Sequence, residues 1–336
     1  MAKFDEPIGD ALESWADIGN SYKSSGILIG NGASRFVWDN FKYESLLDIA
    51  KRLDGGNGLR AVDNQLFNGL DTSNFEFVLQ SLLTAEKVLN SIGKHDAELM
   101  EQYRHIRQSL VHAVHGTHVA HGSVDAAKLD AIASELKNYY YVYSTNYDLL
   151  IYWSIMQSHT KEFKDFFWSE GNSFDVSDSD IRGKVTRILF IHGALHIYTD
   201  SKGTVCKYVS DARENLLEKF SASSDVPLFV SEGNSEDKLS SIFRSEYLSF
   251  AYTTLRQHSG PLVVFGQGLG ESDKHIVDAI NSAQTQHLVI GIYPSSNEGV
   301  IESKTHYRQC FPKKNLAFFD STTHPLGLPS LRVQVI

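Results

Sequence analysis

The sequence is poor in cysteine, in basic charge and in long apolar runs. Its 336 residues include only two cysteines, Cys206 and Cys310, which excludes a disulfide framework and any structural zinc site built from four cysteines. Acidic residues outnumber basic ones by 41 to 31, and no long basic run offsets the net charge of −10. We therefore expect no direct binding to nucleic acid.

The lack of long apolar runs also indicates where the protein is located. The first residues, MAKFDEPIGDALESW, contain acids and lack the apolar core of a signal peptide. No apolar stretch approaches the roughly 20 residues that are needed to cross a bilayer. We expect a cytoplasmic protein with reduced thiols and no membrane contact.

Short apolar runs alternate with helical patterns along the chain. Strands are predicted over 26–30, 139–148, 187–193, 227–233, 261–270, 287–293 and 315–320. Helices are predicted between most of them, including 34–53, 237–258 and a helix capped by Ser272. This alternation predicts a doubly wound, mostly parallel, Rossmann-like α/β sheet with helices on both faces.

One long segment interrupts the alternation. Residues 63–125 show helical spacing and no strand pattern, which predicts a helical insertion or cap subdomain. The sheet domain then consists of residues 20–62 and 126–336. We find no internal repeat and no low-complexity tract in the sequence.

Four of the predicted strands end in residues that suit a ligand site. These endings are GNGAS (30–34), STNYD (144–148), IHGALH (191–196) and FGQGLGESD (265–273). Ligands of open parallel sheets bind outside the carboxyl ends of the strands. We therefore expect the four segments to share one edge of the sheet.

The first segment has two interpretations. Gly30 and Gly32 allow a sharp turn and a close backbone approach, and Ser34 can cap a helix whose first amides attract phosphate. The alternative is an ordinary turn between strand and helix. The dinucleotide fingerprint also requires a third glycine and an acidic residue after a second strand. This chain lacks both, so an ordinary dehydrogenase is disfavoured.

The polar residues of the other segments also have structural alternatives. Asn146 and Asp148 suit a catalytic site, but an Asx turn that caps the next helix uses the same residues. A single histidine such as His192 is more often structural than catalytic. If a histidine does act in the site, it could be His196 instead of His192. Glu232, Gly233 and Asn234 could line the pocket, or Asn234 or Ser235 could cap the next helix.

Together, three of the segments resemble the sirtuin-like (silent information regulator) family. That family has a GAGxS-type loop, a later Asn-x-Asp and a His-Gly, which match Gly30-Asn31-Gly32-Ala33-Ser34, Asn146-Tyr147-Asp148 and His192-Gly193 in the same order. The segment 265–276 is similar to the family's late loop on the adenosine side of NAD, with Gly268 where serine is usual. The resemblance covers roughly 20–60 and 135–320.

The chain departs from the zinc-dependent deacylases of that family, because two cysteines cannot build their four-cysteine module. What remains resembles the sirtuin-like NAD hydrolase domains of bacterial anti-phage defence systems, in which TNYD is the characteristic form of the asparagine motif. The resemblance implies that the chain is a toxic effector that hydrolyses NAD to ADP-ribose and nicotinamide. It also implies a homo-oligomer or an activating partner, such as a translocase-type (HerA-like) ATPase, and no metal.

The resemblance also implies roles for individual residues. Asn146 would position water and ribose, His192 would be the general base, and Asp148 would support the site or bind the nicotinamide end. The residues that would contact the cofactor are Gly30, Asn31, Gly32, Ala33, Ser34, Thr145, Gly266, Gly268 and Leu269.

Other functions and features remain open. The chain could bind NAD or ADP-ribose without cleaving it, as a sensor or interaction module, or it could transfer ADP-ribose to proteins. The histidines at 112, 115, 118 and 121 could suggest a metal site, but steps of three residues drift around a helix, so a polar helix face is favoured. The aromatic segment 162–170 favours core packing.

Overall fold

The computed structural model describes residues 9–22, 25–38, 46–53, 56–94, 96–118, 122–158, 161–168, 170–177, 185–200, 202–209, 226–230 and 234–333. These residues form two sheets with helices around them. One sheet has seven strands and the other has three.

The strands, in chain order, are β1 (Gly26–Ile29), β2 (Tyr141–Ser144), β3 (Phe163–Lys164), β4 (Thr186–Phe190), β5 (Gly193–Thr199), β6 (Val205–Lys207), β7 (Val226–Phe229), β8 (Leu262–Phe265), β9 (His287–Ile292) and β10 (Asn315–Asp320). The large sheet has the order β10-β9-β8-β1-β2-β4-β3, and its strand pairs are parallel. This confirms the predicted Rossmann-like α/β class.

The helices are α1 (Trp15–Ile18), α2 (Asn31–Val37), α3 (Leu46–Arg52), α4 (Ala61–Gly69), α5 (Phe75–Ser91), α6 (Ala97–Thr117), α7 (Ala126–Leu136), α8 (Leu150–Ser158), α9 (Ser235–Arg244), α10 (Glu246–Arg256), α11 (Lys274–Ser282) and α12 (Asn297–Cys310). Within the described ranges, no helix is both long enough and apolar enough to span a membrane.

The central strands are buried because they are apolar on both faces. Ile27 and Leu28 of β1 and Val263 and Val264 of β8 are all fully buried. Burying an aliphatic side chain of this size contributes about 1.5–3 kcal/mol. Strands that read as continuous apolar runs are typical of parallel sheets between two helical layers.

The chain reverses its direction of travel across the sheet at β1. It runs from β1 to β2 and β4 on one side, and later returns to β8, β9 and β10 on the other. The switch point therefore lies between β1 and β8, where open α/β sheets bind ligands. The carboxyl ends of β8, β1, β2 and β4 are neighbours, which confirms that the four predicted segments share one edge.

Two predicted helices are wrong in their extent. The helix expected over 34–53 begins earlier, at Asn31, and ends at Val37, because Trp38 is extended. Helix α3 covers Leu46–Arg52, and residues 39–45 lie outside the described ranges. The helix expected over 237–258 is two helices. Ser245 is extended between them, and its side chain accepts a hydrogen bond from the Leu248 amide, so it caps α10.

The strand predicted over 227–233 does not join the parallel sheet. It is β7, which pairs antiparallel with β5, and β6 pairs antiparallel with the other edge of β5. Strands β5 and β6 were not predicted from the sequence, because polar residues interrupt their apolar pattern. Glu232 and Gly233 lie outside the described residues, and Asn234 caps α9 through its side chain.

Candidate functional site

The loops that follow β1 and β8 pack backbone against backbone. The Gly32 amide donates to the Gly266 carbonyl at 2.7 Å, and the Gly30 amide donates to the Phe265 carbonyl at 2.9 Å. A Cβ on Gly30 would lie 2.7 Å from the Gln267 Cα, and one on Gly32 would lie 2.8 Å from the Gly266 Cα. Real Cβ atoms do not approach so closely, so this packing requires both glycines.

This packing uses backbone amides that were expected to bind phosphate. The Gly32 amide is bound to Gly266, and the Ala33 amide donates to the Gly30 carbonyl at 3.0 Å. Asn31 is the first residue of α2, with Gly30 at the N-cap position. Ser34 is therefore not the helix cap that the sequence suggested, and its hydroxyl serves another purpose.

The Ser34 hydroxyl joins the ends of β1 and β2. It donates to Asp148 Oδ2 at 2.5 Å and accepts from Asn146 Nδ2 at 2.8 Å. Asn146 Nδ2 also contacts the Gly30 carbonyl at 3.0 Å. Because Asp148 Oδ1 accepts from the Leu150 amide at 2.9 Å, the expected Asx turn at the start of α8 is present.

One atom of Asn146 has no partner. The side chain is buried, yet its Oδ1 has no hydrogen bond within the described part of the chain. Asn146, Ala33 and Ser34 border a cavity of about 30 Å³. The other residues that border this cavity are apolar, so the oxygen is unpaired in apolar surroundings.

A second chain of contacts links β2 to β8. Thr145 Oγ1 donates to Gln267 Oε1 at 2.9 Å, and Gln267 Nε2 donates to Asp273 Oδ2 at 2.9 Å. Lys238 Nζ of α9 binds the other carboxylate oxygen of Asp273 at 3.0 Å, and both side chains of this ion pair are buried. The carboxylate thus has a donor on each oxygen.

His192, directly after β4, is paired with His275 of α11. Their Nε2 atoms lie 2.8 Å apart, and both rings are buried. Ser235 Oγ lies 3.2 Å from His275 Nδ1. Two neutral imidazoles at this separation share one proton, because one ring must donate to the lone pair of the other.

Burial keeps both imidazoles neutral. It lowers the pKa of His192 well below 6.5, and the positive charges that His275 and Lys238 can carry lower it further. Burial lowers the pKa of His275 to about 4, with Asp273 opposing the shift and Lys238 adding to it. At neutral pH both rings are therefore uncharged, and each retains one unprotonated nitrogen.

The same cluster has the donor set of a metal site. His192, Asp273 and His275 place one potential ligand atom each within 4.8 Å of one another. However, the two oxygens of Asp273 already bind Lys238 and Gln267. Hydrogen bonds satisfy the cluster, and a cation here would compete with a buried ammonium group.

A cavity of about 350 Å³ lies beside the switch point. It borders the bare backbones of Gly32, Gly266 and Gly291, and the side chains of Arg35 and Arg332 also line it. Phe36, Phe265 and Tyr293 also line this cavity. Guanidinium groups beside aromatic rings suit a ligand with an anionic group attached to a flat ring.

The remaining residues of the loop after β8 differ in how tightly they are held. Gly266 has a φ of +67°, and a Cβ there would lie 2.4 Å from the Ala33 amide nitrogen. Leu269 is buried with a φ of +50°. Gly268 is exposed, and a Cβ would meet no atom within 4 Å, so the serine that is usual in the resembled family would fit.

Two other histidines serve elsewhere. His196 lies on β5 with its ring stacked on Tyr152 at 4.4 Å, in a different cavity from the switch point. His118 accepts a hydrogen bond from the Leu149 amide at 3.0 Å, so it links the end of α6 to the start of α8. The side chains of His115 and His121 lie outside the described residues.

Sequence reasoning missed Gln267, Asp273, Lys238 and His275 as members of the site. Three of them stand in the FGQGLGESDKHI segment, but no spacing rule marks them. In the sequence, Lys238 is one of several charged residues on a predicted amphipathic helix. Only the approach of α9 and α11 to the ends of β4 and β8 brings these groups together.

Comparison with known proteins gives a family and no named relative. No curated protein matches the chain. Residues 27–326 match the family described as "Domain of unknown function (DUF4917)". This match spans most of the chain and contains the strands of the large sheet apart from Gly26, the first residue of β1, so the chain belongs to that family.

Proposed function

We propose that this chain hydrolyses NAD to ADP-ribose and nicotinamide. The observation that carries the proposal is a set of contacts at one edge of the sheet. Asn146 binds the Gly30 carbonyl, Thr145 binds Gln267 of the loop after β8, and His192 pairs with His275. These residues follow four neighbouring parallel strands. The order of the motifs along the chain, which resembles the sirtuin-like family, supports the choice of NAD.

The cavity at the switch point is the proposed place for the phosphates and the adenosine. Arg35 and Arg332 supply positive charge, and Gly32 and Gly266 let a ligand approach the backbone. Since the amides of Gly32 and Ala33 are already bonded, we assign phosphate binding chiefly to the two arginines. Asn31, Ser34, Gly268 and Leu269 keep their proposed places around the cofactor.

The reaction needs little acid catalysis. The bond between C1′ of the ribose and the nicotinamide nitrogen breaks, and its electron pair neutralises the pyridinium. Water then attacks the ribosyl cation, and its proton passes to the His192–His275 pair. Asn146 Oδ1 is the free acceptor that orients a water or ribose hydroxyl. Each acid–base contact of this kind contributes about 10²–10⁴ in rate.

The biological role in the proposal is depletion of NAD as a toxic, cytoplasmic anti-phage effector. Such an enzyme must stay inactive until it is triggered, which is the reason to propose a homo-oligomer or an activator such as a HerA-like ATPase. The buried state of His192 and Asn146 is in keeping with a site that opens on activation.

One observation favours a second candidate, a module that binds NAD or ADP-ribose without cleaving it. The polar groups at the site already have structural partners: Asp148 caps α8, and Asn146 ties two strand ends together. In a module that only binds NAD or ADP-ribose, Asp148 and Asn146 would have no function other than these structural contacts.

The deciding experiment incubates the purified protein with NAD and measures nicotinamide and ADP-ribose by chromatography, with and without candidate activators. We expect release by the parent chain and a loss of at least about 100-fold in His192→Ala. His112→Ala, a half-exposed histidine of α6, is the control.

The products separate the alternatives. If the protein binds NAD saturably but releases no nicotinamide with any activator tested, the result would favour the binding module. Nicotinamide release with ADP-ribose attached to protein would indicate a transferase. Cleavage at the parent rate by His192→Ala would remove His192 from the mechanism.

A further inference from the structure

Ser235, the first residue of α9, makes two contacts with His275 at the start of α11. Its hydroxyl oxygen accepts a hydrogen bond from the His275 amide at 2.7 Å and lies 3.2 Å from Nδ1 of the same residue. The buried ion pair of Lys238 and Asp273 joins the same two helices. Ser235 is half-buried, whereas the His275 ring is buried. Ser235 is therefore the outer neighbour of the His192–His275 pair.

The backbone of Thr145 fixes which nitrogen of His192 carries the proton. His192 forms a hydrogen bond with that backbone, and the contact stabilises the protonated ring, so the ring donates and the Thr145 carbonyl accepts. Because Nε2 of His192 faces Nε2 of His275 at 2.8 Å, the nitrogen that donates to Thr145 is Nδ1. A neutral imidazole has one donor and one acceptor nitrogen, so Nε2 of His192 is an acceptor.

The positions of the other protons follow from this assignment. His275 must carry its proton on Nε2, because the facing nitrogen of His192 has only a lone pair. Nδ1 of His275 is then an acceptor, and the Ser235 hydroxyl is the donor that faces it. The hydroxyl hydrogen is available, since the oxygen uses a lone pair to bind the His275 amide. Donation therefore runs in one direction, from Ser235 to His275 and from His275 to His192.

Both unprotonated nitrogens of the pair are occupied in this arrangement. Ser235 donates to the one on His275, and His275 donates to the one on His192. The proposed reaction needs such a nitrogen to take a proton from water. We propose that the contact between Ser235 and His275 is an autoinhibitory lock, which keeps Nε2 of His192 unavailable until α9 moves away from α11. This inference rests on the proposed function and names the contact that an activator must break.

Ser235 controls the lock by selecting the tautomer of His275. While its hydroxyl is present, Nδ1 of His275 is an acceptor, and Nε2 must donate to His192. Without the hydroxyl, the tautomer with the proton on Nδ1 is no longer disfavoured, and its Nε2 lone pair would face the lone pair of His192. The two lone pairs repel each other, so the His275 ring turns away and Nε2 of His192 becomes free.

The first measurement determines the tautomers of the two rings. Two-bond proton–nitrogen NMR correlation of the full chain with labelled histidines reports them, and His192→Gln and His275→Gln assign the signals. We expect protons on Nδ1 of His192 and on Nε2 of His275 in the parent chain, and a mixture of His275 tautomers in Ser235→Ala. A proton on Nε2 of His192, or an unchanged His275 tautomer in Ser235→Ala, would overturn the lock.

The second measurement is the rate of NAD cleavage without an activator. Ser235→Ala should cleave NAD at least about 10-fold faster than the parent, because an acid–base contact worth about 10²–10⁴ in rate becomes partly available. Ser235→Thr restores the hydroxyl and should return the rate to the parent level. Ser240→Ala, at an exposed serine of the same helix, is the control. Slower cleavage by Ser235→Ala would indicate a proton path to solvent instead of a lock, and an unchanged rate would also overturn the lock.

Reaction with diethyl pyrocarbonate separates the lock from the proposed function. This reagent modifies unprotonated imidazole nitrogens, and peptide mass spectrometry identifies the modified histidine. His192 should react at least about 10-fold faster in Ser235→Ala than in the parent, since the population with a free nitrogen sets the rate. The buried His324 should stay protected in both chains. If His192 reacts in this way but no chain cleaves NAD, the proposed function fails and the lock stands. Equal protection of His192 in both chains, or equal reaction of His324 and His192, would overturn the lock.

Discussion

The Nε2 atoms of His192 and His275 lie 2.8 Å apart in a buried pocket, although 83 residues separate them in the chain. One residue follows β4, and the other lies on α11. Their contact makes the histidine of the His-Gly motif one half of a proton-sharing pair. Any chemistry assigned to His192 therefore belongs to the pair.

His275→Ala should change both the stability and the titration of His192. The substitution leaves a buried nitrogen without its partner, which costs about 1–3 kcal/mol in the free energy of unfolding. It also removes a neighbour that lowers the pKa of His192, so that pKa should rise toward 6.5. Urea denaturation and imidazole NMR titration measure the two effects, and an unchanged His192 titration would contradict the pairing.

Asn146→Ala should destabilise the fold without abolishing it. The Gly30 carbonyl and the Ser34 hydroxyl lose a donor, at a cost of about 1–3 kcal/mol. Asn138→Ala is the matched control, since that amide pairs with Glu135 in a less buried position. Equal free energies of unfolding for the two variants would show that the Asn146 amide does not hold the strand ends together.

Gly266→Ala and Gly268→Ala should differ sharply. At Gly266 a Cβ would overlap the Ala33 amide, and φ is +67°, so we expect a loss of at least about 1–3 kcal/mol. Gly268 has open space, and Gly268→Ala or Gly268→Ser should be close to neutral. Thermal unfolding of the three variants measures this, and similar midpoints would refute the interlocked loops.

Acid should weaken the protein between about pH 6.5 and 4. In that range the unfolded chain protonates its histidines, whereas His275 stays neutral in the folded state until its pKa of about 4. The difference corresponds to about 3 kcal/mol for this group, present in full above pH 6.5 and lost as the pH falls. The buried His192, His196 and His324 act in the same direction.

His275→Asn tests this origin of the acid sensitivity. Removing one titrating group should make the free energy of unfolding fall less steeply over the same pH range, as measured by chemical denaturation at several pH values. A slope identical to that of the parent would assign the acid sensitivity to other groups.

Much of the large sheet could be predicted from local pattern. The runs that became β1, β2, β4, β8, β9 and β10 are apolar on both faces, which marks strands between helical layers. The errors fall where local signals were weak. Trp38 and Ser245 interrupt helical spacing without a proline or glycine, and β5 and β6 carry polar residues.

The sequence alone determined which residues stand at the ends of the parallel strands, because each apolar run and the residues that follow it can be read along the chain. Only the tertiary structure decided which of them touch. His275, Asp273 and Lys238 join His192 because α9 and α11 pack against the same sheet edge, and Asp148 becomes a helix cap because Ser34 and Leu150 lie beside it. Contacts between distant segments depend on how helices pack, and no local period in the sequence records that.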